Sequence, residues 1–218
     1  MHYIFSSYNY DLSDPESIPN LFLQHLELVG ISMIIAIVIA IPLGLLIARN
    51  KRLYLPIITI AGLLYTIPGI ALIGLLVTIT HLSPATIIIP LVLYAQLVLI
   101  RNTVTAVNNI DPFLLEAARA MGMNPWQTLT RVTLPLALPV IVAGIRIATV
   151  TTIGIASLAS LAGQGGLGDL IFNNLTTQDF DAITAGGILM GLFAIVADLL
   201  LLGVQTALNR GRGALSVA

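Results

Sequence analysis

The sequence predicts an all-α membrane protein of five transmembrane helices. Three observations carry that reading. Hydrophobic residues make up 57% of the chain and charged residues 9%, where a soluble domain carries about 25% charged residues. Apolar stretches of about 20 residues, the length that crosses a bilayer as a helix, recur along the chain. The Lys and Arg residues outside those stretches fall only on alternate connections. A globular core of this size has too little polar surface to cover so many apolar side chains. Lipid removes the difficulty by acting as solvent for the outside of the helices. The mean hydropathy of +1.00 agrees.

Residues 1–25 read as a loose N-terminal arm with a short interfacial helix. They contain no Lys or Arg, and a cleavable secretory signal needs a positive segment before its apolar core. They carry Asp11, Asp14 and Glu16, with Tyr3, Phe5, Tyr8 and Tyr10, aromatics that suit a membrane–water interface. The membrane domain covers 26–208, and 209–218 form a cytoplasmic tail. Its spans are predicted at 27–48, 57–80, 85–107, 138–161 and 183–208. Pro68-Gly69 should kink the second span, and such a kink can serve as a gate in an alternating-access pore. Ser157 and Ser160 read as small packing residues beside Gly154 and Ala156, and Gly187 with Gly191 as a close-approach pair packing within the chain rather than in a dimer.

Positive side chains stay on the cytoplasmic side. Arg49, Lys51 and Arg52 follow the first span, Arg119 and Arg131 lie between the third and fourth, and Arg210 and Arg212 follow the fifth. With five spans these segments share one face. The other face holds the arm, the loop around His81 and the loop 163–181 with Asp169, Asp179 and Asp181. The predicted orientation is N-terminus outside, C-terminus inside.

The long cytoplasmic connection, about 111–135, has helix signals of its own. Asp111-Pro112 is an N-cap followed by proline at the first helical position. Gly122 suits the left-handed turn that ends a helix. Asn124 and Gln127 have capping-box spacing, and Leu134-Pro135 is expected to close the second helix. A hairpin of two short helices with a glycine elbow should project from the membrane face.

This segment resembles the EAA loop of bacterial ABC importer permeases: Glu116-Ala117-Ala118, three residues, Gly122, nine residues, Val132-Thr133-Leu134-Pro135. The family has Ile at the position of Val132. The resemblance implies coupling helices that sit in a groove on each ATP-hydrolysing subunit, with Glu116, Ala117, Ala118, Gly122, Asn124, Trp126, Leu134 and Pro135 at the coupling site. The small side chains of Ala117, Ala118 and Ala120 would let a helix lie close in that groove, and Glu116 would offer a carboxylate to a basic partner. Trp126 suits an interface anchor and equally a tryptophan at headgroup level. Across most of the chain, Leu93-Tyr94, Arg101-Asn102-Thr103, Pro139 to Arg146 and Gly165 to Asp169 look like the glycine betaine/carnitine/choline branch. The last stretch is similar in methionine permeases.

Other chemistries are disfavoured. The chain has no cysteine, so thiolate metal sites and disulfides are excluded, and a net charge of −1 gives no field for nucleic acid. Gly163-Gln164-Gly165-Gly166-Leu167-Gly168 fits a dinucleotide fingerprint but follows a membrane helix, not a strand. It reads as a bend into a short helix, with Asp169 near its N-terminus. The only lysine, Lys51, follows no glycine-rich loop, so ATP chemistry must come from elsewhere. His2, His25 and His81 are expected outside or at the outer surface, which leaves no buried base for an intramembrane hydrolase.

Arg101, Arg146 and Asp198 fall within spans at similar depth. Intramembrane charges are costly and usually paired or functional. Asp198 is expected to neutralise Arg146, with Arg101 close by or reaching toward the headgroups.

The resemblance implies a pore subunit without a catalytic site or bound cofactor, in a bacterial or archaeal cytoplasmic membrane. Its partners would be a cytoplasmic ABC ATPase that binds ATP and Mg, a second permease chain, and an extracytoplasmic substrate-binding protein. A methionine or other amino-acid importer is the alternative, and a channel or secondary transporter a more distant one.

Overall fold

The computed structural model describes residues 2–213, with side chains for 3–209. The side chains of His2, Arg210 and Arg212, used in the sequence argument, lie outside the described residues, as do Met1 and the tail from 214 onward. The described chain is all helical. Four helices are long and apolar enough to cross a membrane: α2 (Ile18–Arg49), α5 (Ala85–Asn108), the continuous helical stretch Pro125–Ala162, and α10, whose candidate span is Phe180–Asn209. The helices α3 (Tyr54–Thr66) and α4 (Gly69–Thr80) pass the same test as a pair, bent by 92°. The short helices are α1 (His2–Phe5), α6 (Pro112–Ala120), α7 (Pro125–Thr128) and α9 (Asp169–Phe172), and α8 covers Leu134–Ala156.

Helix α5 is the central element, because α2, α8, α3 and α4 all pack on it. Small residues set the approach distances. Gly44 of α2 meets the Thr103 side chain of α5, and Gly144 of α8 meets the Asn102 side chain. Buried Ala36, Ala40, Ala95, Ala148 and Ala156 continue the seam. Side chains without bulk let backbones approach closely, which holds helices together where lipid supplies no hydrophobic contrast.

The two ends of the bundle are distinct. At one end Ala106, Ile110, Ala137 and Ile141 join the termini of α5 and α8 into a small core backed by Ile41. The helical hairpin leaves from this end. At the opposite end Ile18 and Leu21 pack on Leu167 and Leu170. Tyr3 joins that cluster and Asn20 Nδ2 donates to the carbonyls of Leu12 (3.0 Å) and Asp14 (2.8 Å). The arm is therefore docked, not loose, and the first helix starts at Ile18, inside the segment expected to precede it.

Where the second span was expected, the chain makes a sharper break than a kink. Pro68 has no N–H and forces the preceding residue out of the helical region. Ile67 accordingly adopts φ −67°, ψ 127° and Pro68 φ −59°, ψ 134°. The Ile67 carbonyl freed by the break accepts a hydrogen bond from the Tyr94 hydroxyl at 2.8 Å.

Candidate functional site

The hairpin is built by local chemistry at each terminus. Asp111 Oδ1 accepts the Phe113 N–H at 2.9 Å and starts α6. At its other end the Gly122 N–H donates to Arg119 O (2.9 Å) and the Met123 N–H to Ala118 O (3.1 Å). This is the paired closure that a left-handed residue makes possible, and Gly122 has φ +80°. The capping box restarts the chain: Asn124 Oδ1 accepts the Gln127 N–H and Gln127 Oε1 accepts the Asn124 N–H, both at 2.9 Å. The elbow therefore stands where the sequence placed it.

Two expectations about the hairpin change. Leu134-Pro135 does not close the second helix. The chain passes from α7 through a wide π turn, Leu129–Thr133, directly into α8. Pro135 lies inside a continuous helical stretch, where its missing N–H removes a backbone hydrogen bond, and the π turn just before it takes up the local change of pitch. Nor does Ala118 belong to an outward small-residue surface, since it is 1% exposed, on a helix that packs against α7 and the π turn. The outward surface is larger and more apolar: Phe113, Met121 and Trp126 are each 70% exposed, with Leu114 half-exposed and Glu116 exposed. Trp126 was expected there; Phe113, Leu114 and Met121 were missed, although they flank the recognised motif. Exposed apolar patches rimmed by charge mark interaction surfaces.

Within the bundle, Arg146 and Asp198 meet as expected. The Arg146 Nε donates to Asp198 Oδ1 at 2.9 Å and Nη2 to Oδ2 at 2.8 Å, a bidentate fork. Nη1 donates to Gln205 Oε1 at 2.7 Å. Gln205 was not anticipated, yet it lies two turns beyond Asp198 on the same face of α10. Arg101 is exposed on α5 and forms no ion pair with Asp198 among the described residues.

The break between α3 and α4 brings Tyr65 edge-on to Tyr94 at 5.9 Å, while Gly69 lies against Leu158. Pro68-Gly69 is thus held by an aromatic pair and one hydrogen bond.

At the opposite end, the glycine loop uses positive φ at Gly163, Gly165 and Gly166 to wrap over α2. The Gly166 N–H donates to Gln24 Oε1 at 3.0 Å, and Gln164 Nε2 donates to Leu82 O at 3.1 Å. His25 is not at the surface. It is fully buried, with Nε2 3.0 Å from Ile153 O and the ring edge-on to Phe193. A polar cleft of about 440 Å³ near the loop is lined by Glu16, Gln24, Ser160, Gln164, Asp169 and Asn173 among others. Burial raises the Asp169 carboxyl above the ordinary value, opposed in part by Ser160. Among the described residues a methyl group on Gly187 or Gly191 would meet nothing within 4 Å, and Gly186 makes the close contact instead, against Leu170 and Ile171. The expected in-chain role of that glycine pair is therefore overturned: the face of α10 that touches its neighbours is one residue out of register with it.

Among the described residues no three His, Asp or Glu side chains converge as a metal site. The arrangement is a helix bundle with a projecting hairpin of short helices. The sequence pattern of the family described as the binding-protein-dependent transport system inner membrane component matches residues 40–213. The chain belongs to this family. It is a permease subunit of an ABC importer, a bacterial multi-pass inner-membrane protein, and membership implies a complex with an ATPase and a substrate-binding partner.

The permease is 43% identical to the carnitine transport permease protein OpuCD of Listeria monocytogenes, over 86% of this chain and 85% of that protein. It is 42% identical to the osmoprotectant import permease protein OsmW of Salmonella typhimurium, over 92% and 96%. The glycine betaine/carnitine/choline transport system permease protein OpuCD of Bacillus subtilis is 39% identical over 86% and 82%. Among solved structures, the inward-facing MetNI methionine ABC transporter superposes with a TM-score of 0.77 at 24% identity, covering 85% of this permease and 93% of that chain. That likeness concerns the fold alone.

Proposed function

We propose that this permease carries osmoprotectants such as glycine betaine, carnitine or choline inward, driven by ATP bound with Mg on a partner ATPase. The observation that carries the substrate class is the identity of 42–43% to carnitine and osmoprotectant permeases, spread over 85–96% of their length. The bent α3–α4 pair serves as the fifth crossing, since α3 starts beside the hairpin end and the turn after α4 is tied by Leu82 O to the glycine loop at the other. The basic segments then share the cytoplasmic face with the hairpin.

In this reading Glu116, Ala117, Gly122, Asn124 and Trp126, joined by Phe113 and Met121, meet the ATPase. Leu134 and Pro135 carry its movement into α8. Ala118 is buried where α6 packs on the second arm of the hairpin. The break at Pro68-Gly69 acts as the gate hinge, and the Arg146–Asp198 pair clamps α8 to α10. Five crossings enclose too little space for a trimethylammonium solute, so a second permease chain, identical or similar, completes the path.

The test is uptake of labelled glycine betaine at high osmolarity, in cells stripped of osmolyte uptake and supplied with the permease and its partner subunits. Uptake that depends on the permease supports the substrate class. An assembled complex that takes up methionine and no betaine would contradict it.

A further inference from the structure

At the hairpin end, a cleft of about 230 Å³ opens between α2, the turn after it, α3 and α5, lined by Ile47, Lys51, Tyr54, Val104 and Asn108. The turn that builds it is closed by Leu53 N–H to Asn50 O at 3.0 Å, with the Asn50 side chain accepting from the Arg52 N–H. That fold-back sets Lys51 and Tyr54 opposite Asn108 at the end of α5. Among the described residues none of these three side chains has a hydrogen-bond or ionic partner within the chain, and no carboxylate lines the cleft. Arg49 and Arg52 are exposed beside it.

The chemistry of the lining is divided. An ammonium, a phenol hydroxyl and a carboxamide supply donors, and Ile47 with Val104 supplies an apolar wall that continues into the membrane surface of the helices. Tyrosine and lysine at the end of an apolar helix lie at headgroup level. A small phosphate-bearing anion matches the donors, and a phosphate attached to an acyl chain matches the apolar wall as well. We propose that this cleft holds the phosphate of an anionic phospholipid headgroup, with Lys51 supplying the charge and Tyr54 and Asn108 the hydrogen bonds. The occupant would tie the α2–α3 turn to the end of α5, three residues before Asp111 begins the hairpin. Membrane lipid would thereby bear on the root of that element. The inference needs only that the chain spans a bilayer, and does not depend on which solute it carries.

The test is native mass spectrometry of the intact purified transporter, titrated separately with dioleoyl phosphatidylglycerol, dioleoyl phosphatidylcholine and inorganic phosphate. The expected result is retention of phosphatidylglycerol over phosphatidylcholine, cut about fivefold by Lys51→Gln, since one basic group at the surface is worth about 1 kcal/mol toward anionic lipid. Asn108→Ala should weaken retention as well. Arg52→Gln, outside the cleft, removes a nearby charge but no group on the phosphate, and should cut retention clearly less than Lys51→Gln does. Undiminished retention by Lys51→Gln overturns the proposal. Equal losses for Lys51→Gln and Arg52→Gln would reduce it to diffuse surface charge. Binding of inorganic phosphate without preference between the lipids would overturn the lipid as its source. Glycine betaine uptake by the same preparation in vesicles reports separately on the transport function.

Discussion

Gly144 and Gly154 lie on the same helix, yet the bundle treats them differently. A methyl group on Gly144 would collide with the Asn102 side chain, whereas Gly154 faces open space. Gly144→Ala must push α8 from α5 and should cost about 1–3 kcal/mol, the range for overpacking a close contact. Gly154→Ala should be neutral or slightly stabilising, because alanine is the better helix former. Thermal unfolding of the two purified variants checks the contrast. Gly122→Ala is a third case: space is open but φ is +80°, so the expected cost is the left-handed penalty of about 1 kcal/mol. Asp169 adds a pH signature. Its raised value means that the folded chain binds more protons than the unfolded one between the ordinary value of 3.8 and the folded value. Its contribution to stability therefore falls as pH rises through that window. Asp169→Asn should remove this part of the pH dependence of the melting temperature, and an unchanged profile would show that the carboxyl is not desolvated.

At the scale of elements, the Arg146 fork joins α8 to α10. Breaking one side leaves a charge without its partner at membrane depth. Asp198→Leu should lower the yield of folded protein, and the exchanged pair Arg146→Asp with Asp198→Arg should recover part of it. No recovery would mean that Gln205 or the lipid-facing position matters more than the pairing. The clamp was legible because charges are rare in such a chain and their depths can be counted. Gln205 was not, since an uncharged polar residue near a helix end has many bland explanations. The hairpin was legible for a similar reason: Asp111, Gly122, Asn124 and Gln127 are capping residues that act through their own backbone neighbourhood. What failed was what depends on packing. The burial of Ala118 and His25, the outward turn of Gly187 and Gly191, and the docking of the arm are set by helix rotation and by contacts distant in sequence. Proline also misled in two ways: Pro68 broke the helix where a kink was expected, and Pro135 sits inside a continuing helix where an end was expected.

At the scale of the whole molecule, one chain is an incomplete machine. Its central helix α5 is well buried, while no residue in the apolar window of α10 is fully buried, and Met190, Phe193, Ala194 and Ala197 pack only partly on the core. That exposed surface must face lipid or a second permease chain. Native mass spectrometry of the assembled transporter should find two permease subunits with two ATPases, and a complex holding one permease chain would contradict the dimeric path. The central claim concerns the hairpin, which exposes Phe113, Met121 and Trp126 together with Glu116. The direct measurement compares ATP hydrolysis and betaine uptake by the reconstituted transporter carrying Glu116→Arg or Trp126→Ala. The account predicts that uptake collapses, either with the ATPase lost from the complex or with hydrolysis no longer matched to transport, while the permease still inserts. Normal uptake per ATP hydrolysed in both variants would show that the hairpin is not the coupling element.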